Sequence, residues 1–199
     1  MSSQAYARGF DRIKHYIREG DCYQVNFAQR FRASVRDDAW VLYQRMRREN
    51  PSPYGALLEY PFGQVLSSSP EQFLSLRNGM AQTRPIKGTR PRGESAEQDL
   101  ALRAELLSSE KDRAENVMIV DLLRNDLGKV CEPGSIEVPE LFRVESFATV
   151  HHLVSTVTGR LQTDRDALDL IAACFPVFCR STWPDVGSAF GTYGTTCRQ

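Results

Sequence analysis

ALLEYPFGQVLSSSPEQFLSLRNGMA, residues 56 to 81, holds three short apolar runs, Ala56 to Tyr60, Gln64 to Ser68 and Gln72 to Leu76. Pro-Phe-Gly, Ser-Pro-Glu and Arg-Asn-Gly separate them. Runs this short, punctuated by turn residues, leave room for hairpins and none for crossover helices, so the stretch predicts antiparallel sheet.

Downstream, TRPIKGTRPRG (83 to 93) combines two prolines and two glycines with four basic residues. Prolines withhold ladder donors and glycines favour turns, so this segment is expected to be an irregular loop, too charged to be buried without partners. Helical spacing follows from Ala96 to Leu107. Ser108-Ser109 then offers a cap for a longer helix from about Glu110 to Leu127, ending at Gly128. Strands are expected around Ile136 to Leu141 and Val150 to Leu161, and a helix over Arg165 to Cys174. Upstream, Tyr6, Phe10, Ile13 and Ile17 recur at helical spacing until Gly20-Asp21. Tyr23, Val25, Phe27, Gln29 and Phe31 share one parity of an expected strand, with Gln24, Asn26 and Ala28 on the other. A further helix is expected over Asp38 to Arg48, before the Asn50-Pro51-Ser52-Pro53 turn. Strands and helices are segregated and no repeat is present, so the fold class is α+β, antiparallel sheets flanked by helices.

The 199 residues are 41% apolar, and 25 basic side chains balance 25 acidic ones. That composition fits a soluble domain and excludes disordered and low-complexity classes. A zero net charge gives no reason to expect nucleic acid or an acidic membrane as partner and points to a small ligand. No apolar run approaches the roughly 20 residues that span a bilayer, and the N-terminus lacks a secretory pattern, so a cytoplasmic address is expected. Five cysteines without paired spacing are expected to be free thiols.

Candidate chemistry is scattered. Asp112 and Glu115, at i and i+3, place two carboxylates on one helix face, suited either to a hard cation such as Mg2+ or to the helix macrodipole. Lys87 lies in the basic loop beside Arg84, Arg90 and Arg92. A lysine that is largely neutral at pH 7 must be pulled about 3 pH units below the usual value near 10.4, so position 87 suits an anion-binding group or, if sufficiently buried, a nucleophile. Glu71 follows the Ser69-Pro70 turn and suits a general acid or an exposed edge. His151 and His152 fall on opposite sides of a strand, so at most one faces a given cleft.

Five segments together resemble the chorismate-utilising enzymes: GDCYQVNFAQRF (20 to 31), SSPEQF (68 to 73), TRPIKGTRPRG (83 to 93), EKDRAENVMIVDLLRNDLG (110 to 128) and VHHLVSTVTG (150 to 159). The PIKGT form, with lysine at 87, resembles the aminodeoxychorismate synthase component I branch. Gln24 agrees, since isochorismate and salicylate synthases are expected to carry a water-activating lysine there. The resemblance implies Lys87 as a covalent nucleophile and Glu71 as general acid/base. It also implies His152, Gln24 and Thr89 at the substrate, and Glu115 with Asp112 as acidic ligands of Mg2+. Chorismate is the implied substrate, and a separate glutamine amidotransferase subunit the implied source of ammonia. Anthranilate synthase component I and a non-catalytic remnant that binds the amidotransferase are the alternatives.

The likeness runs to Pro176. Relatives continue there with a glycine-rich segment, whereas this chain reads VFCRSTWPDVGSAFGTYGTTCRQ. The expected division is therefore a partial chorismate-binding domain over 1 to 176 and an unmatched tail over 177 to 199. The missing segment implies an incomplete metal site, with little or no catalysis expected from this chain alone.

Overall fold

The computed structural model describes residues 1–22, 25 and 27–175. They fall into two compact units, one within Met1–Arg36 and one over Asp37–Phe175.

In the first unit, α1 spans Ser3–Glu19. The Ser2 hydroxyl caps it by accepting the Ala5 N–H, and Gly20 closes it in the left-handed conformation (φ 80°). Val25 and residues 27–31 form no strand, contrary to the expectation from their alternation. No ladder partner is present for them among the described residues. Phe27 instead stacks on Tyr6 of α1, ring centroids 4.9 Å apart, and lies close over Gly9. Gln24, with Tyr23 and Asn26, lies outside the described residues.

The second unit begins with α2, Ala39–Glu49, capped by Asp38 through the Trp40 N–H. Strands β1 (Tyr54–Tyr60) and β2 (Gly63–Ser69) form an antiparallel hairpin of their own. β3 (Gln72–Arg77) and β4 (Met80–Arg84) form the next hairpin. Its two-residue loop, Asn78-Gly79, has φ of 51° and 75°, the pairing of positive angles that matches strand twist in tight hairpins. The residues from Ala56 to Ala81 therefore fold as their punctuation predicts.

The basic segment does not. β5 spans Ile86–Pro91, and β4 runs to Arg84. The expected loop is thus two successive strands broken at Pro85. Both pair antiparallel with β7 (Val150–Arg160), β4 along Val157 to Arg160 and β5 along Val150 to Val154. Pro85 sits at the junction, where its carbonyl accepts the Ser155 N–H (3.2 Å), and Pro91 ends β5. Neither proline removes a donor that the ladder requires.

The other edge of β7 carries β6 (Glu137–Ser146), longer than the sequence indicates because bulges interrupt its alternation. Phe142 occupies one bulge with φ 60°, held by its N–H bond to the Ser155 hydroxyl. Helices α3 (Ala96–Ser108), α4 (Glu110–Leu127) and α5 (Ala167–Cys174) begin at the caps Ser95, Ser109 and Asp166. Asn116, Ile119, Val120, Leu123 and Leu127 make one buried stripe of α4. At about 1.5–3 kcal/mol for each fully buried aliphatic chain, this stripe fixes α4 to the sheet. Val120 and Leu127 share a core with Ala81, Val157, Leu161, Leu170 and Cys174. Cys22 and Cys131 are free thiols, as expected. Among the described residues, no helix is long and apolar enough to cross a membrane.

Candidate active site

β5 organises the site. Its ladder with β7 runs from Ile86↔Val154 to Thr89↔His152, three steps on β5 against two on β7. One extra residue is accommodated, and Lys87 and Gly88 lie in that bulge. Bulges re-aim side chains, and here the half-buried Lys87 is the residue affected. Gly88 has φ 91°, and a Cβ there would meet Asp112 Cβ and Leu106 Cδ1 at 2.9 Å. Glycine at 88 thus lets the strand lie directly on α3 and α4.

Most other predicted site residues are tied to the same few positions of β5. The Glu71 carboxylate accepts the Ile86 N–H at 2.8 Å, which places it beside the residue preceding Lys87. Ser69 shapes that approach: its hydroxyl accepts the Glu71 N–H (3.3 Å) and donates to the Glu71 carbonyl (3.1 Å). The Thr89 hydroxyl and His152 Nδ1 are 2.9 Å apart. Phe147 packs on the His152 ring, centroids 5.6 Å apart. Burial holds the imidazole pKa below its ordinary value, against the opposing pull of Glu145 on β6. His151, on the other parity, is buried, as the alternation of the pair predicts.

Asp112 and Glu115 have separate surroundings. Arg90 Nη2 donates to Asp112 Oδ2 (3.0 Å) while its Nε donates to Glu105 (2.8 Å), and both acids keep the guanidinium charged. Asp112 therefore fastens α4 to β5, a role the spacing did not reveal. Glu115 has a half-exposed side chain whose ion-pair partner, the exposed Lys111, stands 4.0 Å away. Among the described residues no three His, Cys, Asp or Glu side chains cluster as a metal cage. A hard cation fits only through the Glu115 carboxylate and water, a mode open to Mg2+.

A small open cleft of about 100 Å³ adjoins these groups, lined by Pro70, Gln72, Ile86, Phe147 and the Arg84–Glu145 ion pair. Of its lining residues, Ile86 donates to Glu71 and Phe147 packs on His152.

Asn116 and Ser155 escaped the sequence reading. Both are fully buried. Asn116 donates to the Leu153 carbonyl (3.3 Å) and accepts from the Ser155 hydroxyl (2.6 Å), which also accepts the Phe142 N–H (3.1 Å). This network joins α4, next to Glu115, to β7, next to His152. The available signal was a polar residue within each apolar pattern.

The family model for chorismate binding enzymes matches residues 1–179. Aminodeoxychorismate synthase component 1 of Klebsiella aerogenes is 54% identical over 176 residues, which cover 88% of this chain and 39% of the relative. Anthranilate synthase component 1 of Saccharolobus solfataricus is 43% identical, again over 88% of this chain and 42% of the relative. The crystal structure of anthranilate synthase component I from Streptococcus pneumoniae TIGR4 superposes with a TM-score of 0.80 at 36% identity, over 90% of this chain and 39% of that one. The chain thus spans about two fifths of the length of these relatives. The match to nearly its whole length, on a fold whose β5 gathers the residues that carry the resemblance, places the chain in the chorismate binding enzyme family.

Proposed function

We propose that the chain carries, within residues 1 to 176, part of the catalytic domain of an aminodeoxychorismate synthase component 1. The whole enzyme would convert chorismate and ammonia to 4-amino-4-deoxychorismate in the cytoplasm, for 4-aminobenzoate and folate synthesis, with a glutamine amidotransferase subunit supplying the ammonia. The observation that carries this reading is the β5 bulge: Lys87 lies one residue from the Ile86 N–H that holds Glu71, and two from Thr89, which holds His152.

In this mechanism the Lys87 amine first yields its proton and adds at C2 of the ring. The C4 hydroxyl departs as water, and Glu71 moves the protons at both atoms. Ammonia then forms the new bond at C4 as the lysine nitrogen leaves C2, so the enzyme is regenerated. Thr89 and His152 orient the ring, and Gln24 contributes at the substrate without activating water. Glu115 would hold Mg2+, which when bound neutralises the ring carboxylate of chorismate. Asp112 supports this arrangement through Arg90.

Product analysis tests the reading. A chimera in which this chain replaces the matching segment of the Klebsiella aerogenes relative is supplied with chorismate, Mg2+ and ammonia. Aminated chorismate that retains its enolpyruvyl group is the expected product. Anthranilate with pyruvate would overturn the assignment in favour of anthranilate synthase chemistry.

A further inference from the structure

His151, the buried member of the histidine pair, has no part in the mechanism above, yet both of its ring nitrogens are engaged. Nδ1 lies 2.8 Å from the Ser146 hydroxyl and Nε2 lies 3.0 Å from Asp99 Oδ1. Asp99 also accepts from Arg92 Nε (2.7 Å), Arg92 Nη2 (2.9 Å) and the Gly93 N–H (2.8 Å). The remaining reach of Arg92 goes to the β6–β7 turn: Nη1 donates to the Phe147 carbonyl (2.7 Å) and its N–H to the Thr149 carbonyl (3.2 Å).

The strand ladder sets the pairing of β6 with β7 through Ser146↔His151, and the Phe147 N–H bond to the Val150 carbonyl (2.8 Å) closes the turn. The β5 ladder fixes the start of β7 through Pro91↔Val150, but neither it nor these contacts ties the turn residues Phe147 and Thr149 to α3. Arg92 and Asp99 do, because they belong to the segment after β5 and to α3. What they hold in place is Phe147, whose ring covers His152. The period-two alternation of the strand thus divides the labour of adjacent histidines, one anchored inward and one held between Thr89 and Phe147.

We infer that Arg92, Asp99 and His151 form a positioning unit that holds the β6–β7 turn so that Phe147 stays packed on His152 and walls the chorismate site. The inference rests on the proposed place of His152 at the substrate. None of the three touches a reacting atom; they act through Phe147. A planar fork suits the task, since Arg92 binds both oxygens of Asp99 and the Phe147 carbonyl from three separate nitrogens, a geometry that the single ammonium of a lysine does not reproduce.

The test uses the 199-residue chain and its Arg92→Lys, Arg92→Gln and Asp99→Asn variants, with far-UV circular dichroism as the check on folding. Ser146→Ala, at an exposed position, serves as the mildest variant. The first readout is the NMR titration of the His152 imidazole, which faces Thr89 from β5, Phe147 from the turn and Glu145, paired with Arg84, from β6. The parent is expected to titrate below the ordinary value near 6.5, and the Arg92 and Asp99 variants to move up toward it as the ring becomes wetter. The second readout is chorismate affinity in the presence of Mg2+, measured with the same substitutions in a chimera with the Klebsiella aerogenes relative and expected to weaken about two- to tenfold, the range set by one aromatic contact. Variants that are less stable but leave the His152 titration unmoved would reduce the unit to a structural staple and overturn the inference. Chorismate affinity unchanged in the variants of that chimera, with the His152 titration shifting as described, would overturn the place of His152 at the substrate and leave its positioning by Phe147 standing.

Discussion

Gly88→Ala probes the contact on which the site is built. The native φ of 91° lies where an L side chain is strained, at a cost of about 1–2 kcal/mol. The new methyl would also stand 2.9 Å from Asp112 Cβ, 2.9 Å from Leu106 Cδ1 and 3.0 Å from Asp112 Cγ. Leu106 is fully buried and Asp112 is tied to Arg90, so neither yields freely. Overpacking of this kind costs about 1–3 kcal/mol, for a total loss of about 2–5 kcal/mol. Gly79→Ala is the control: φ is 75°, but nothing lies within 4 Å of the added methyl, so only the backbone strain of about 1–2 kcal/mol applies. Urea unfolding followed by circular dichroism separates the two. With a slope of about 1–3 kcal/mol/M, the midpoint of Gly88→Ala is expected to fall about 1–2 M, and further than that of Gly79→Ala. Equal losses would refute the close approach of β5 to α4.

Two further outcomes follow from the buried groups. Asn116→Leu keeps the volume but leaves the Leu153 carbonyl and the Ser155 hydroxyl without their partner, so thermal unfolding should show a loss of about 2–4 kcal/mol, and no recovery in Asn116→Leu/Ser155→Ala, where the Phe142 N–H loses its acceptor. The Asp99 carboxyl is held well below the usual carboxylate range, first by its bonds to Arg92 and then by the Gly93 N–H. A depressed carboxyl contributes stability that is present above its unfolded value near 3.9 and is lost as pH falls through the folded value. The melting temperature should therefore drop from pH 5 toward pH 3, and less steeply in Asp99→Asn, with Glu140, depressed mainly by its bond to Arg143, sustaining the remainder.

Local chemistry made much of this fold legible. Ser95, Ser109 and Asp166 mark helix starts through bonds to N–H groups two or three residues on, and Asn78-Gly79 writes its own hairpin. The alternation of His151 and His152 puts the two rings on opposite faces of β7, one fully buried and one half-buried. The failures share a cause, because they depend on partners distant in the chain. TRPIKGTRPRG reads as a loop until Arg84 finds Glu145, Arg90 finds Asp112 and Glu105, and Arg92 finds Asp99. The stretch around Phe27 has the pattern of a strand, but without a neighbouring strand among the described residues the pattern has nothing to pair with. The carboxylate pair at 112 and 115 has cation-binding spacing, and nothing in that spacing announces that Arg90 already occupies Asp112.

The covalent role of Lys87 is the central claim. In the chimera with the Klebsiella aerogenes relative, incubation with chorismate and Mg2+ in the absence of ammonia, followed by denaturing quench and peptide mass analysis, tests it most directly. The account predicts a mass gain of one chorismate less one water, confined to the peptide that carries Lys87 and absent from Lys87→Ala, which should also form no aminated product when ammonia is supplied. Aminated product from Lys87→Ala at the parental rate would contradict it.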